Sequence, residues 1–234
     1  MKPQYFFYAP DPEEASGDNS TDTSSSDEII STEDSSNTSA DSSSSTDTAT
    51  PSRPYTVESW RPLVTKLAGG IPVEVVLRWM QHESGGNPCS TGKIVNGSSI
   101  ENGLFQLYSP DDDHFATPSQ LHGSFCSGQS YTRDLTPEEA KLQVTSGIAY
   151  INQCCTRARD QLSKAQITWD ESSSDFWSLV KMQHNLPSIP VKYIPLLKPS
   201  SWADFKAGVL KDHPEYDSSS TIFSNAEDIG SAVL

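Results

Sequence analysis

The residue in this 234-residue chain best placed for acid–base chemistry is Glu83, in the run from Ile71 to Pro88. Pro72 suits a first helical turn, and Gly85, Gly86 and Pro88 end the helix. Val73, Val76, Trp79 and Met80 form its apolar face, and Glu83 occupies the next position on that stripe. A carboxyl there meets the negative end of the helix dipole and loses water. Both effects predict a raised pKa. A carboxylic acid kept protonated near neutrality is what general-acid cleavage of a glycosidic bond requires. The plainer alternative is a frayed helix end whose Glu turns to water.

Twenty residues on, Glu101 to Leu107 carries Gly103, which lets backbone approach a ligand closely, and Gln106, which offers both a donor and an acceptor. Alone, this segment reads equally well as the start of a short core helix. No Cys-x-x-Cys or His-x-x-x-His spacing suggests zinc, and the histidines at 82, 114, 122 and 184 are scattered. No metal and no cofactor are expected.

The elements that must position these residues are helical. Thr136 with Pro137 and Glu139 forms a capping box. The spacing of Val144, Ile148, Ile151, Cys155, Ala158 and Leu162 then draws one buried stripe along a helix of about seven turns. Further helices are predicted over 56–68, 72–84, 173–186 and 201–211. Irregular stretches, 85–100 and 108–134, separate them, and β-alternation is weak. The fold class is therefore mainly α, with long functional loops.

Composition divides the chain. Residues 16–52 hold 14 Ser and 7 Thr, and the first 52 residues carry 11 acids against one base. Such a segment cannot bury enough apolar surface to order itself. The expected organisation is an aromatic docking peptide at 1–10, a disordered acidic linker at 11–54, a domain at 55–215, and a Ser-rich tail at 216–234 that closes, from Asn225 to Leu234, on a short helix with no assigned role. Tyr5, Phe6, Phe7 and Tyr8 would dock on a partner, by adding a strand to a sheet edge. A net charge of −15 argues against nucleic acid and anionic membranes as partners. No run spans a bilayer, and the N-terminal apolar string is too short for a Sec signal.

Taken together, Glu83-Ser84-Gly85-Gly86-Asn87-Pro88 followed by Gly103-Leu104-Phe105-Gln106 resembles the soluble lytic transglycosylase family, related in fold to goose-type lysozyme. The resemblance covers roughly 60–190. It implies a lysozyme-like domain acting on peptidoglycan glycan strands, with Glu83 catalytic. It implies substrate-binding roles for Ser84, Gly103, Leu104, Phe105 and Gln106, with Ser84 holding Glu83 or the sugar by hydrogen bond. The family's third motif, Ala-Tyr-Asn-Ala-Gly, is altered here. Asn185 matches its Asn and His184 its Tyr, so His184 is expected to bond Glu83 or a substrate acetamido group.

The same resemblance implies a single Glu working twice. Protonated Glu83 gives its proton to the oxygen between N-acetylmuramic acid and N-acetylglucosamine. As carboxylate it then takes the C6 hydroxyl proton while the ring closes to a 1,6-anhydro sugar. The substrate's acetamido group stabilises the anomeric carbon. An inverting muramidase would instead need a second carboxylate to activate water, for which Glu101 and the Asp111–Asp113 run are candidates. A third reading is an inactive virion structural protein of the same fold.

Four cysteines allow three full pairings. Cys154 and Cys155 are adjacent on a helix and diverge, with Cys155 on the buried stripe. Cys89 and Cys126 sit in the two irregular loops and could staple them in an oxidising compartment. A tethered enzyme needs no charge attraction to an acidic wall, because its linker supplies effective concentration. The organisation suits a phage virion-associated lysin, with release by a holin or a secretion apparatus as alternatives.

Overall fold

Thr56 opens the first helix, α1 (Val57–Leu67), with a capping box shared with Ser59. These are coordinates of a computed structural model, which describes residues 50–51, 53–92, 94–95, 98–99, 101–108, 118–218 and 221–233. The proposed docking peptide, nearly all of the acidic linker and the Asp111–Asp113 run lie outside the described residues. The domain begins slightly ahead of the expected boundary. Pro51 is buried, and Arg53 Nε donates to Asp134 Oδ1 at 2.5 Å.

Among the described residues the fold is mainly helical. α2 (Val73–Ser84) buries Val75, Val76, Leu77, Trp79 and Met80, and it stops where Gly85 turns left-handed with φ of 64°. Gly86 follows at φ 87°, and a β-carbon on it would come within 2.5 Å of the Val57 nitrogen. The turn after Glu83 can therefore press directly onto the start of α1, where Trp60 Nε1 donates to the Gly86 carbonyl at 2.9 Å.

The irregular stretches hold short antiparallel pairs. β1 (Ile94–Val95) pairs with β2 (Ser98–Ser99), β3 (Glu101–Asn102) with β4 (Leu107–Tyr108), and β5 (Cys126–Ser127) with β6 (Ser130–Tyr131), with the one-turn α3 (Pro118–Leu121) between the last two ladders. Cys89 and Cys126 form a disulfide joining the two loop regions. This is the pairing the loop positions allowed.

The long helix α4 (Pro137–Lys164) begins at the expected Thr136–Glu139 capping box and buries every residue of the expected stripe. Cys154 is buried beside Cys155, and burial pushes their thiols up to about 12 and about 11. Both stay protonated and inert at neutral pH. α5 (Ser174–Asn185) is capped by Ser173 and lies against α4. It is followed by α6 (Ser188–Leu197), then α7 (Trp202–Asp212), capped by Ser201 through the Asp204 nitrogen. α6 has no counterpart among the expected helices, and it carries both Pro190 and Pro195. Pro190 falls in the first turn, where no N–H is needed, and Pro195 falls near the end.

The expected C-terminal tail is a correction. After the one-turn α8 (Glu215–Ser218), α9 (Ile222–Ser231) buries Ile222, Phe223, Ala226 and Ile229 and packs more extensively on α5 than any other helix does. The short helix expected from Asn225 starts earlier, at Ile222, and its few apolar residues follow a Ser-rich stretch, so composition hid its place in the core. The domain thus includes residues assigned to the tail. Truncating Phe223 to Ala should cost about 3 kcal/mol in chemical denaturation, in line with large-to-small changes at sealed aromatic positions.

Candidate active site

Glu83 stands at the last turn of α2, directly opposite α5. Three helices meet there: α2 brings Glu83 and Trp79, α5 brings Lys181 and His184, and α4 brings Tyr150. On α5, Lys181 and His184 are one turn apart and so share a face. Lys181 has no exposed side-chain surface, while Glu83 retains 16 % and His184 14 %.

The Lys181 ammonium donates to Glu83 Oε1, and His184 Nε2 lies 2.9 Å from the same oxygen. The Lys181 nitrogen also stands 4.4 Å from the centre of the Trp79 ring. Tyr150 closes the far side of the imidazole, its hydroxyl 3.1 Å from His184 Nδ1. These contacts fix the tautomer of a neutral imidazole. Nε2–H donates to the carboxylate, and Nδ1 accepts from the tyrosine hydroxyl.

The charge state overturns the raised pKa expected for Glu83. Burial does push the carboxyl up, and it is the largest single influence. The Lys181 charge and the hydrogen bonds from Lys181 and His184 outweigh it together, joined at low pH by the charge His184 takes up there, and hold Glu83 well below the usual carboxylate range. Burial lowers the pKa of Lys181 against the opposing pull of Glu83. Burial, with Lys181 beside it, also lowers that of His184, so the imidazole rests neutral. At neutral pH the centre is an ion pair sealed on one side and open on the other.

The second motif is held next to the first by main-chain bonds. Gly103 N donates to Ser90 O at 3.0 Å and Gly92 N to Glu101 O at 2.9 Å, while Thr91 bridges to Asn102. Gly103 has φ of 79°, and a β-carbon there would come within 2.6 Å of Gln143 Oε1. That oxygen accepts from Leu104 N at 3.1 Å, and Gln143 Nε2 donates to Leu121 O at 2.6 Å. One buried glutamine of α4 thereby fixes the turn. Glu101 and Gln106 both lie over Gly92, and the Glu101 charge reaches His184.

Several residues assigned to substrate serve structure instead. Ser84 Oγ donates to Met80 O and accepts from Gly86 N, both at 3.2 Å, so it closes the helix end and does not bond Glu83. Leu104 and Phe105 are core, the Phe105 ring lying against Gly147 of α4. Both amide protons of Gln106 go to main-chain carbonyls, of Ser90 at 2.9 Å and Gly103 at 2.8 Å, and its carbonyl oxygen lies over Gly92 beside the Glu101 carboxylate. Asn185 is buried and donates to Ile222 O at 3.2 Å, which ties α5 to α9. His184 bonds Glu83, one of its two expected partners.

Comparison with family models, with curated proteins and with solved structures returns no match for this chain.

Lys181 is the member of the Glu83 cluster that sequence reasoning missed. Its signal was a lone lysine inside the apolar run Phe176–Met182, one turn before His184. Among the described residues no group of three His, Cys, Asp or Glu side chains could hold a metal ion, and no helix is long and apolar enough to cross a membrane. A cavity of about 250 Å³ lies elsewhere, between α4 and α6, and shares no residue with the Glu83 cluster.

Removing one partner of a buried ion pair strands the other. Glu83→Gln should therefore lower stability by about 3 kcal/mol at pH 7, and adding Lys181→Met should recover much of that loss. Because the folded-state pKa of Glu83 is depressed, the wild-type advantage over Glu83→Gln is full above the ordinary carboxyl value of 4.5 and shrinks as pH falls below it. Urea titrations of the three variants from pH 3 to pH 7 measure both effects.

Proposed function

We propose that this chain cleaves the β-1,4 bond between N-acetylmuramic acid and N-acetylglucosamine in peptidoglycan, as a lytic transglycosylase of lysozyme-like fold. The observation that carries the reading is the seating of Glu83. It is a largely sheltered carboxylate on a helix end, gripped by His184 and backed by Lys181, with the β3–β4 hairpin near enough for the Glu101 charge to reach His184. Structural acids on a surface have no need of a second helix to fix one oxygen, whereas an acid–base group must be held to a fraction of an ångström.

In this reading Glu83 meets the glycosidic oxygen with the oxygen its partners leave open. Its protonated form assists departure of the leaving sugar, and its carboxylate form removes the C6 hydroxyl proton as the anhydro ring closes. His184 orients the carboxyl and rests neutral, so it adds no charge that would oppose an oxocarbenium-like centre. The Gln106 carbonyl oxygen, over Gly92 beside Glu101, serves as an acceptor for a sugar N–H. The acidic N-terminal segment tethers this activity to a phage particle through residues 1–10, and the wall is opened locally.

Glu101 favours a second reading, hydrolysis with inversion, because its charge reaches the same imidazole. Digestion of purified peptidoglycan and mass spectrometry of the products separates the two. Anhydro-muramoyl ends support the lyase, and reducing muramic ends on fresh products support the hydrolase. Glu83→Gln, checked for folding, should abolish clearing of a peptidoglycan gel. Clearing that survives this change removes Glu83 from the chemistry, and a wild type that clears nothing favours the inactive structural protein. Deleting residues 1–10 should release the protein from purified particles while leaving its clearing of the gel intact.

A further inference from the structure

A carboxyl that rests ionised has no proton to give a leaving group, yet cleavage by Glu83 begins with one. Two N–H groups touch its Oε1. The His184 Nε2 proton is a poor source, since its loss would leave an imidazolate unless Tyr150 replaced it at Nδ1. Burial raises the Tyr150 pKa well above its ordinary value, so the hydroxyl holds its proton. The remaining donor is the ammonium of Lys181.

That ammonium is fully buried, and among the described residues its hydrogen bond goes to Glu83 alone. A further neighbour is the face of Trp79, whose indole N–H is itself buried without a partner among the described residues. An ammonium in such a place is solvated by one carboxylate and one aromatic ring. Were that carboxylate to lose its remaining water to a bound sugar, the ion pair and the neutral pair would approach each other in energy.

We propose that Lys181, acting only through Glu83, is the proton store of the site, a positioning residue that resting on the cleavage reading completes its acid–base cycle. On sugar binding the Nζ–H bond breaks and an Oε1–H bond forms, leaving a neutral amine beside a carboxylic acid. Rotation about the Cγ–Cδ bond then turns that O–H toward the open side, and it passes its proton to the glycosidic oxygen as the bond from C1 to that oxygen breaks. The C6 hydroxyl oxygen then bonds C1, its proton goes to the Glu83 carboxylate, and from there it returns to Nζ. Each turnover ends with the protein's proton count unchanged, and no solvent acid is needed.

The surrounding charges leave Lys181 this part. Cys154 of α4 faces it as a neutral thiol, Tyr150 stands neutral behind His184, and Arg157 lies further along that helix. Glu101 approaches from the β3–β4 turn on the His184 side. On α9, Asp228 is engaged by Arg78 and His82, and Glu227 by Lys206 and Trp202. Neither α9 acid is free to serve Glu83.

The test is the pH dependence of kcat for the full chain on peptidoglycan, with Lys181→Met and Lys181→Gln beside the wild type. The wild type should vary less than about threefold between pH 5 and pH 8, since its proton is carried internally. A variant lacking the ammonium leaves Glu83 in a desolvated place with a raised pKa, so its activity should fall about tenfold or more as pH rises over that range. The Glu83 carboxyl carbon, followed by NMR, should stay ionised from pH 5 to pH 8 in the wild type and titrate within that range in the variants. Folded variants with the wild-type profile, or with kcat lowered equally at every pH, overturn the role of Lys181 and leave the cleavage reading standing. A wild-type kcat that climbs tenfold per unit of falling pH does the same, because the proton then comes from solvent. If both variants fail to fold, the wild-type profile and its NMR titration still decide the matter. An inactive wild type sinks the cleavage reading, and this role with it.

Discussion

A lysine ammonium with no exposed surface is tolerable in a helical core only if a negative group meets it there, and Glu83 is that group. The pair costs desolvation at both ends and returns it only through close geometry, so the surrounding helices must hold α2 and α5 at one fixed separation. Trp79 accepts the flank of the ammonium, and His184 takes the same carboxylate oxygen from the next turn of α5. Tyr150 then fixes the imidazole from α4. Four side chains from three helices are committed to the position of one oxygen.

The frame that holds α5 is assembled from distant chain. α9 packs along it, Asn185 bonds the Ile222 carbonyl, and Gly230 has no room for a side chain because Ser174 and Ser178 press against it. α9 is also clamped to α2, where Arg78 bonds the Asp228 carbonyl and carboxylate and His82 bonds its other oxygen at 2.8 Å. The C-terminal helix thus touches both walls of the Glu83 site. Its removal would loosen the two helices whose spacing the buried ion pair demands.

The loops obey a different economy, one of backbone groups that need partners. Asn87 spends its side chain on Gln129 O and Cys89 N, the disulfide joins Cys89 to Cys126, and Gln106 satisfies two carbonyls. Residues that resemble a substrate-binding motif are therefore largely the scaffold of the turn. What such a turn can offer a ligand is shape, main-chain groups and the Gln106 carbonyl.

How much of this was legible follows from the range of the forces involved. The α4 capping box and stripe, the left-handed stop at Gly85, the Ser201 cap and the burial of Cys155 all depend on neighbours within a turn or two, and they stand in the order of residues. Glu83 on the inner face of its helix was legible for the same reason. Its charge was not, because the dipole and desolvation that argue for a neutral acid are local, while Lys181 lies 98 positions away. Composition likewise concealed the core place of α9, whose few apolar residues mean little until α5 is there to receive them. The chain order by itself determined where α1, α2, α4, α5 and α7 begin and end and which face of α2 and α4 is buried. Only tertiary packing decided that a lysine and a glutamate share one dry site, since an electrostatic pair is set by distance in space, and no local pattern carries that distance.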